Sequence, residues 1–541
     1  MTRAQTPPDA DPLARPPDPF AGVDAVPLTV EEARAWTLRN NLDLRVALID
    51  PTIANQSITE EEAAWQAVFF SNFRFTDLEQ PTATTLVGGQ VRQIDYDLGV
   101  RVPLRTGGEV TVRLPFNRTK TNNQFSTLNP SISSDVEFSI SQPLLRNAGR
   151  RANTHALRVA ALNGDVTRAR TKLEVIRQLA EADRAFWRLY AARRALDVAQ
   201  QQFELAQAQL ERARRRVDAG DAAEIERVRA EEGVAQRLES IITAQNDVLL
   251  RQRELKRLIN LPGLDLDTPV LLVPASDPDP VPLTVDREAL MAQAIDNRME
   301  LLELELQLAI DESTVAFERN RALPLFSLDY TYRLNGLGDN LTNSVSLLRS
   351  ADFNDWIVGL SFEQSVGNDA AKARVQRAIL DRLQRLASRE AREQSIRQEV
   401  LDAADTIESG WQRIMAAAQS SILAARTLQA EQRQFDVGRS TSTVVLDTAT
   451  RLAEAQLAEI RAVTDYEIAK IDLAFATGTL LGADRVIWAP VDPRPEPAPP
   501  GAPAPEGSAQ RDEPAESDVG PVGLTPATPA HEIARAPSPR R

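Results

Sequence analysis

The sequence predicts a mixed α and β fold, mainly α, in which one unit of more than about 200 residues is used twice. Three observations carry this. Val26-Pro27-Leu28-Thr29-Val30 recurs as Val281-Pro282-Leu283-Thr284-Val285, and Asn40-Asn41-Leu42-Asp43-Leu44 is echoed by Asn297-Arg298-Met299-Glu300-Leu301. Phe69, Phe73 and Phe75 are then matched at one common offset by Phe326, Tyr330 and Tyr332. Most of the 34 prolines lie near the two ends, and none falls between Leu144 and Leu261 or between Leu325 and Ala489, so those stretches can hold unusually long helices.

Residues 1–25 read as a disordered segment, polar and proline-rich. The first repeat is residues 26–268. Thr29 with Glu32 three residues on forms a capping box that opens a helix over 30–68, with Pro51 as a possible interruption. A β region over 69–143 follows, where Ile94, Tyr96, Leu98, Val100, Val102 and Leu104 alternate with polar residues, as do Val110, Val112, Leu114 and Phe116, and Val136, Phe138 and Ile140. Helices are expected over 145–219 and 221–260. Their seam steps by three and four through Leu189, Ala192, Leu196, Ala199, Phe203, Ala206, Leu210, Ala213 and Val217, large residues alternating with alanine so that a neighbouring helix can approach closely. A rod of some 70 residues is about 100 Å long. Gly220 ends it, glycine being the natural left-handed residue at a helix stop.

A linker over 269–280 joins the second repeat, residues 281–488. Its elements are a helix over 285–323, a β region over 325–366, and long helices over 369–437 and 440–477. Phe326, Leu328, Tyr330 and Tyr332 alternate with polar residues, as do Trp356, Val358, Leu360 and Phe362. The seam Val400, Ala404, Ile407, Trp411, Ile414, Ala418, Ser421, Ala425 and Leu428 leads to the second glycine turn at Gly438. Residues 489–541 read as a disordered Pro/Ala-rich tail.

Composition excludes several functions. The net charge of −15 argues against broad nucleic-acid binding. With no cysteine and two histidines, disulfides, thiolate chemistry and a histidine-rich metal site are set aside, and no cofactor is expected. His155 reads as a solvated residue at a helix start. The glycine pairs match no phosphate-loop spacing, and the carboxylates show no cleft-like clustering, so the chain does not read as an enzyme. No segment is a transmembrane helix, and Met1 to Asp24 shows no signal peptide; an exported protein would need an in-frame signal upstream.

Alternating strands suit either a soluble sandwich or a membrane barrel, and the concentration of aromatics in the two β windows favours membrane girdles. Two copies of an up-strand and a down-strand give four strands, which cannot close a barrel alone. Oligomerisation follows, and a trimer gives twelve strands above a twelve-helix cylinder. The first β window carries an added hairpin around Thr106-Gly107-Gly108, which either extends outside the membrane or raises the count to eighteen.

On LTVEEA and NNLDLR near the start, Gln142-Pro143-Leu144-Leu145-Arg146, both glycine turns, Val445-Leu446-Asp447 and Ala476-Thr477-Gly478-Thr479-Leu480, the chain resembles the TolC-like outer membrane efflux protein family over about residues 26–489. The resemblance implies long α-helical hairpins forming an α-barrel, joined to a transmembrane β-barrel shared between protomers. It implies a homotrimer in outer-membrane lipid that reaches into the periplasm. It also implies passive export with a periplasmic adaptor (membrane fusion protein) and an inner-membrane pump, in a tripartite efflux or type I secretion system. By the same resemblance the helix-hairpin tips, Gly220 and Gly438, form a periplasmic aperture. Asp447 matches an acid of the selectivity ring, whose companion position holds Val444. Glu226 matches an acid that latches the closed state, while Phe435 and Ser440 replace its tyrosine and arginine partners. Acids on long helices are otherwise ordinary solvated surface. The alternative reading is a periplasmic or soluble coiled-coil scaffold with a small β domain.

Overall fold

The structure, a computed structural model, describes residues 19–83, 88–484 and 486 of the 541-residue chain. In the first repeat the elements run β1 (Asp24–Leu28), α1 (Val30–Asn40), α2 (Leu42–Ala47), α3 (Asp50–Ala63), β2 (Val68–Glu79), β3 (Gln90–Pro103), β4 (Glu109–Thr121), β5 (Ser131–Ser134), β6 (Val136–Pro143), α4 (Arg150–Asn153), α5 (His155–Asp218) and α6 (Glu224–Ile259). Between the repeats lies β7 (Val270–Pro274), and in the second repeat the elements run α7 (Arg287–Asn297), α8 (Met299–Arg321), β8 (Leu325–Leu334), β9 (Leu337–Gly338), α9 (Leu341–Ser350), β10 (Asn354–Glu363), α10 (Asp369–Asp436), α11 (Ser442–Ala476) and α12 (Leu480–Ala483). The chain divides into two compact units. One takes the described residues up to Asp50, Arg168–Leu301 and those from Ala391 onward; the other is Pro51–Thr167 with Leu302–Glu390.

The first unit holds most of the buried core. α5 and α10 are unbroken over 64 and 68 residues, and each is followed by a return helix of about half that length. The alanine-bearing seam is buried as its period requires: Leu189, Ala192, Leu196, Phe203, Ala206, Leu210 and Ala213 join one cluster with Val234, Ile241, Val248 and Leu255 of α6. Ile396 and Val400 of α10 pack on Ala294, Leu301 and Ala476, and Ile407 and Ile414 pack on Tyr466. The Thr29 capping box forms as expected: the Glu32 amide donates to Thr29 Oγ1 at 3.2 Å, and the Thr29 amide donates to the Glu32 carboxylate at 2.9 Å.

In the other unit the strands form one sheet in the order β10-β8-β6-β4-β3-β2, antiparallel throughout. Register decides what each face carries. Phe73 lies opposite Tyr96, Tyr96 opposite Phe116, Val112 opposite Phe138, Phe138 opposite Tyr332, and Tyr332 opposite Trp356. One face is therefore apolar across all six strands. The other carries Asp95, Asp97, Arg113, Asn117, Glu137, Asp329, Thr331 and Arg333. The apolar face is uncovered: Phe69, Phe73, Trp356, Leu360 and Phe362 are each about two-thirds exposed.

Several boundaries differ from the sequence reading. The helix expected over 30–68 is three helices: Asn41 ends α1 and caps α2 through its side chain, and a turn at Leu48 and Ile49 precedes α3. Pro51 interrupts nothing, because it sits in the first turn of α3, where no backbone donor is required. The linker over 269–280 contains β7, which pairs in parallel with β1, Asp24 opposite Val270. The second β region contains α9, which lies against β5 and β9, with the Ser134 and Ser344 hydroxyls hydrogen-bonded. The predicted disordered segments fall mostly outside the described residues: all of 489–541 does, and of residues 1–25 only 19–25 are described, where β1 begins at Asp24.

Candidate functional site

Both hairpin tips are built by the same backbone device. Gly220 and Gly438 have φ of 77°, the left-handed region that disfavours a side chain. The Gly220 amide donates to Val217 O and the Asp221 amide to Arg216 O; the Gly438 amide donates to Phe435 O and the Arg439 amide to Gln434 O. These two bonds define a Schellman stop, and the duplication preserves both. A Cβ at either glycine would touch nothing within 4 Å, so substitution there costs conformation alone. Gly438→Ala is expected to destabilise its tip by about 1 kcal/mol and raise hydrogen exchange of the surrounding amides about fivefold. Exchange measured by mass spectrometry checks this, and an unchanged rate would contradict it.

Around the tips, Glu226, Ser440 and Asp447 find partners inside their own hairpins, whereas Phe435 reaches the other one. Glu226 in the first turn of α6 pairs with Arg229 at 3.2 Å. Ser440 Oγ donates to Glu431 at 3.0 Å. Asp447 pairs with Arg451 one turn later at 2.9 Å, and both remain more than half exposed. Val444 is exposed, on the turn of α11 before Asp447. Phe435 is buried with Leu428, Val445 and Ala449, and the partly buried Leu205 of α5 packs on the same cluster. The Arg216 guanidinium lies 5.1 Å above its ring. Thus Phe435 ties the tip together by packing and a cation–π contact. Arg216, which the sequence reading passed over, is recognisable only once the two turns are seen side by side.

Two ionic clusters in the same unit were not legible in sequence. Arg34 of α1 donates to both carboxylate oxygens of Asp183, at 2.8 and 3.0 Å, and pairs with Asp484 at 2.9 Å. Asp183 is fully buried and Asp484 nearly so. Burial, and then the neighbouring Asp183 charge, push the Asp484 carboxyl up to about 7 despite Arg34. One guanidinium thus serves two buried carboxylates, an arrangement that favours the protonated form of Asp484. A cleft beside them is lined by Glu31, Arg34, Trp187, Glu467, Lys470 and Asp484.

The second cluster marks the duplicated break between the first two helices of each repeat. Asn41 caps α2 and donates to Leu258 O near the end of α6 at 3.0 Å. Its counterpart Arg298 donates to Ala476 O at the end of α11 at 3.2 Å, and also grips Glu300 at 2.8 Å and Glu399 at 2.7 Å. Burial raises the Glu300 carboxyl, and the bonded Arg298 more than reverses this, holding it below its ordinary value. The second repeat has replaced a neutral cap with a buried cation.

In the other unit His155 is half-buried rather than freely solvated. Its ring stacks on Phe317 at 4.3 Å and its Nδ1 lies 2.9 Å from Ser313 Oγ. Burial, then Arg158, lower its pKa. On the polar face of the sheet, Arg113 joins Asp97 at 3.6 Å to Glu137 at 3.1 Å, and Arg333 bonds the same Glu137. Charges of alternating sign thus cross four strands. Among the described residues no group of acids and histidines could hold a metal ion, and no helix is long and apolar enough to cross a membrane.

Comparison with known proteins adds to this geometry. Residues 290–479 match the family described as outer membrane efflux protein. The chain is 26% identical over 205 residues to the outer membrane protein TolC of Vibrio cholerae serotype O1, a stretch covering 37% of this chain and 45% of that relative. The matched part thus spans less than half the length of that protein. Among solved structures, the outer-membrane channel OprN aligns with a TM-score of 0.62 at 17% identity, over 83% of this chain and 90% of that one. The Campylobacter jejuni CmeC outer membrane channel aligns with 0.63 at 13% identity, over 83% and 86%. CusC, described by its transmembrane channel formation, aligns with 0.62 at 15% identity, over 86% and 98%. At these identities the likeness is one of fold.

Proposed function

We propose that this chain, which resembles the outer membrane efflux proteins in the sequence of its second repeat and in its fold, is one protomer of a trimeric channel-tunnel. The channel would export substrates passively from the periplasm to the exterior, within a tripartite efflux or type I secretion system that also needs a periplasmic adaptor and an inner-membrane pump. One observation carries the reading: a sheet that is apolar on one face and polar on the other, with both edges unpaired among the described residues. In lipid, unpaired backbone at an edge is prohibitive, so β2 and β10 must pair with other copies. Leu380, Leu383, Met415 and Ile422 of α10 are also exposed and suit contacts between helices of neighbouring copies. Mass measurement of the detergent-extracted protein should give three copies. Carbonate washing should leave it in outer membranes; release as a soluble monomer would instead favour the coiled-coil scaffold.

At the tip, three-fold symmetry would repeat Asp447 as a ring of like charges. Charges closer than the Debye length of about 8 Å are little screened, and each Arg451 is long and exposed enough to swing aside. Such a channel is cation-selective. Asp447→Asn is expected to lower the cation-to-anion permeability ratio in planar bilayers by about twofold or more. An unchanged ratio would place this acid on the outer surface. Phe435 and Ser440 would hold the closed tip without the polar latch that the family pattern carries, which suits a gate that opens readily.

A further inference from the structure

We propose that the β3–β4 hairpin is part of the membrane wall, so that each protomer contributes six spanning strands and a trimer closes a barrel of eighteen rather than twelve. This rests on the outer-membrane reading given above, and four features of the hairpin support it.

The hairpin lies within the sheet, not beside it. β2 pairs with β3 from Val68↔Arg101 to Glu79↔Gln90, β3 with β4 from Val91↔Thr121 to Pro103↔Glu109, and β4 with β6 from Glu109↔Ser141 to Arg113↔Glu137. Moving it out of the plane would strip β2 of its partner along its full length.

Its faces match those of the strands on either side. Ile94, Tyr96, Leu98, Val100 and Val102 on β3 stand opposite Arg118, Phe116, Leu114, Val112 and Val110 on β4. The run from Ile94 to Val102 has the length of a membrane-spanning strand, about nine to eleven residues. Val112 and Leu114 are more than 40% exposed, which a hairpin standing in water would have no reason to maintain. Lipid is the occupant that covers this face along with those of β2, β6, β8 and β10. On the polar side, the chain of ion pairs from Asp97 through Arg113 and Glu137 to Arg333 runs from hairpin to duplicated strands without a break. Both sets of strands therefore share one water-facing lining.

Its turn lies at the correct end. β2 follows α3, β6 leads into α4 and α5, β8 follows α8, and β10 precedes α10, so one end of the sheet is the helix-connected end. The Leu104–Gly108 turn lies there, since the Gly149 amide, just before α4, donates to Thr106 O at 2.9 Å. The hairpin therefore shares the helix-connected end with the other strands and, together with β2, continues past the level at which β8 ends, since Arg113 is level through Glu137 with Arg333 while β4 runs on to Thr121.

Parity completes the argument. Six strands alternating in direction leave edges β2 and β10 running oppositely, so every seam between copies is antiparallel. Barrel diameter grows roughly linearly with strand number, and eighteen strands give a barrel about 1.5 times as wide as twelve.

Because the chain has no cysteine, single cysteines can be introduced directly. Leu98→Cys and Leu114→Cys test the apolar face of the hairpin, and Thr111→Cys its polar face; Leu360→Cys and Thr331→Cys serve as the same pair on the duplicated strands. Full-length trimers in liposomes would be treated with a charged methanethiosulfonate reagent. The expected result is that Leu98→Cys, Leu114→Cys and Leu360→Cys react at least tenfold more slowly than Thr111→Cys and Thr331→Cys. Fluorophores attached before reconstitution at the three slow sites should also be quenched by brominated acyl chains. If Leu360→Cys is protected while Leu98→Cys and Leu114→Cys react as fast as Thr111→Cys, the hairpin lies outside the bilayer and the barrel has twelve strands. If Leu360→Cys also reacts freely, the outer-membrane reading itself fails, and the strand count with it.

Discussion

Arg34→Met is expected to lower stability by about 3–5 kcal/mol, because it leaves two buried carboxylates facing each other without a cation. In detergent this corresponds to a fall of about 10 °C in the thermal midpoint. The neighbouring acid behaves oppositely. Asp484 binds its proton up to about pH 7 in the folded chain and only up to its ordinary value when unfolded. Between those values the folded state holds more protons, so this group's contribution is complete at low pH and is lost as pH rises through about 7. Asp484→Asn mimics the protonated acid at every pH. It should melt with the parent at pH 4 and several degrees above it at pH 8. The double variant Arg34→Met/Asp484→Asn should recover part of the loss, since one of the unpaired charges is gone. Melting curves of the four proteins at the two pH values decide the matter, and equal pH profiles for parent and Asp484→Asn would show that the triad retains no proton.

Arg298→Ala is the second severe substitution, with an expected cost of about 3 kcal/mol. It removes donors from Glu300, Glu399 and the Ala476 carbonyl together, and Arg392, which bonds both acids at 3.1 and 3.3 Å, compensates only in part. The loss should grow less evident in acid. Glu300 is held below its ordinary value, so its contribution is present at neutral pH and lost as pH falls through that lowered value. In the first repeat, Asn41→Ala removes a neutral cap and should cost about 1 kcal/mol. Equal effects at the two sites would mean that the buried cation adds nothing to the junction.

The contrast between these two junctions shows what sequence reading could reach. Local signals were legible: Thr29 with Glu32 specified a cap that forms atom for atom, Gly220 and Gly438 marked both tips, and the period of Leu189 to Val217 named the buried seam. Strand alternation named the apolar face, because a residue's face depends only on parity along its own strand. Features with distant partners were not legible. Val270 to Pro274 is a strand only because Asp24 to Leu28 lies beside it, and the prolines of residues 269–280 alone speak for a linker. Asp183 looks like one acid among many on a long helix until Arg34 and Asp484 converge on it. His155 reads as a solvated histidine until Phe317 stacks on one face of its ring. Asn41 carries the local signal of a helix break, since asparagine is a good N-cap, and it caps α2. Near the hairpin tips, sequence supplied the residue types at Glu226, Asp447, Phe435 and Ser440, while their partners Arg229, Arg451, Arg216 and Glu431 came from the structure.

The open edges of the sheet have a consequence for gene dosage. In the proposed trimer, a lone protomer whose strands β2 and β10 each keep one unpaired edge would be a poor resident of lipid and a ready template for aggregation, so assembly and insertion would have to be completed together. If three copies are needed before any edge is satisfied, the amount of finished channel at low abundance follows the cube of protomer concentration. A twofold fall in synthesis would then remove up to about eightfold of the channels. Transport capacity would respond to expression almost as a switch, and a variant protomer able to enter the ring but not to close it would disable two normal copies with it.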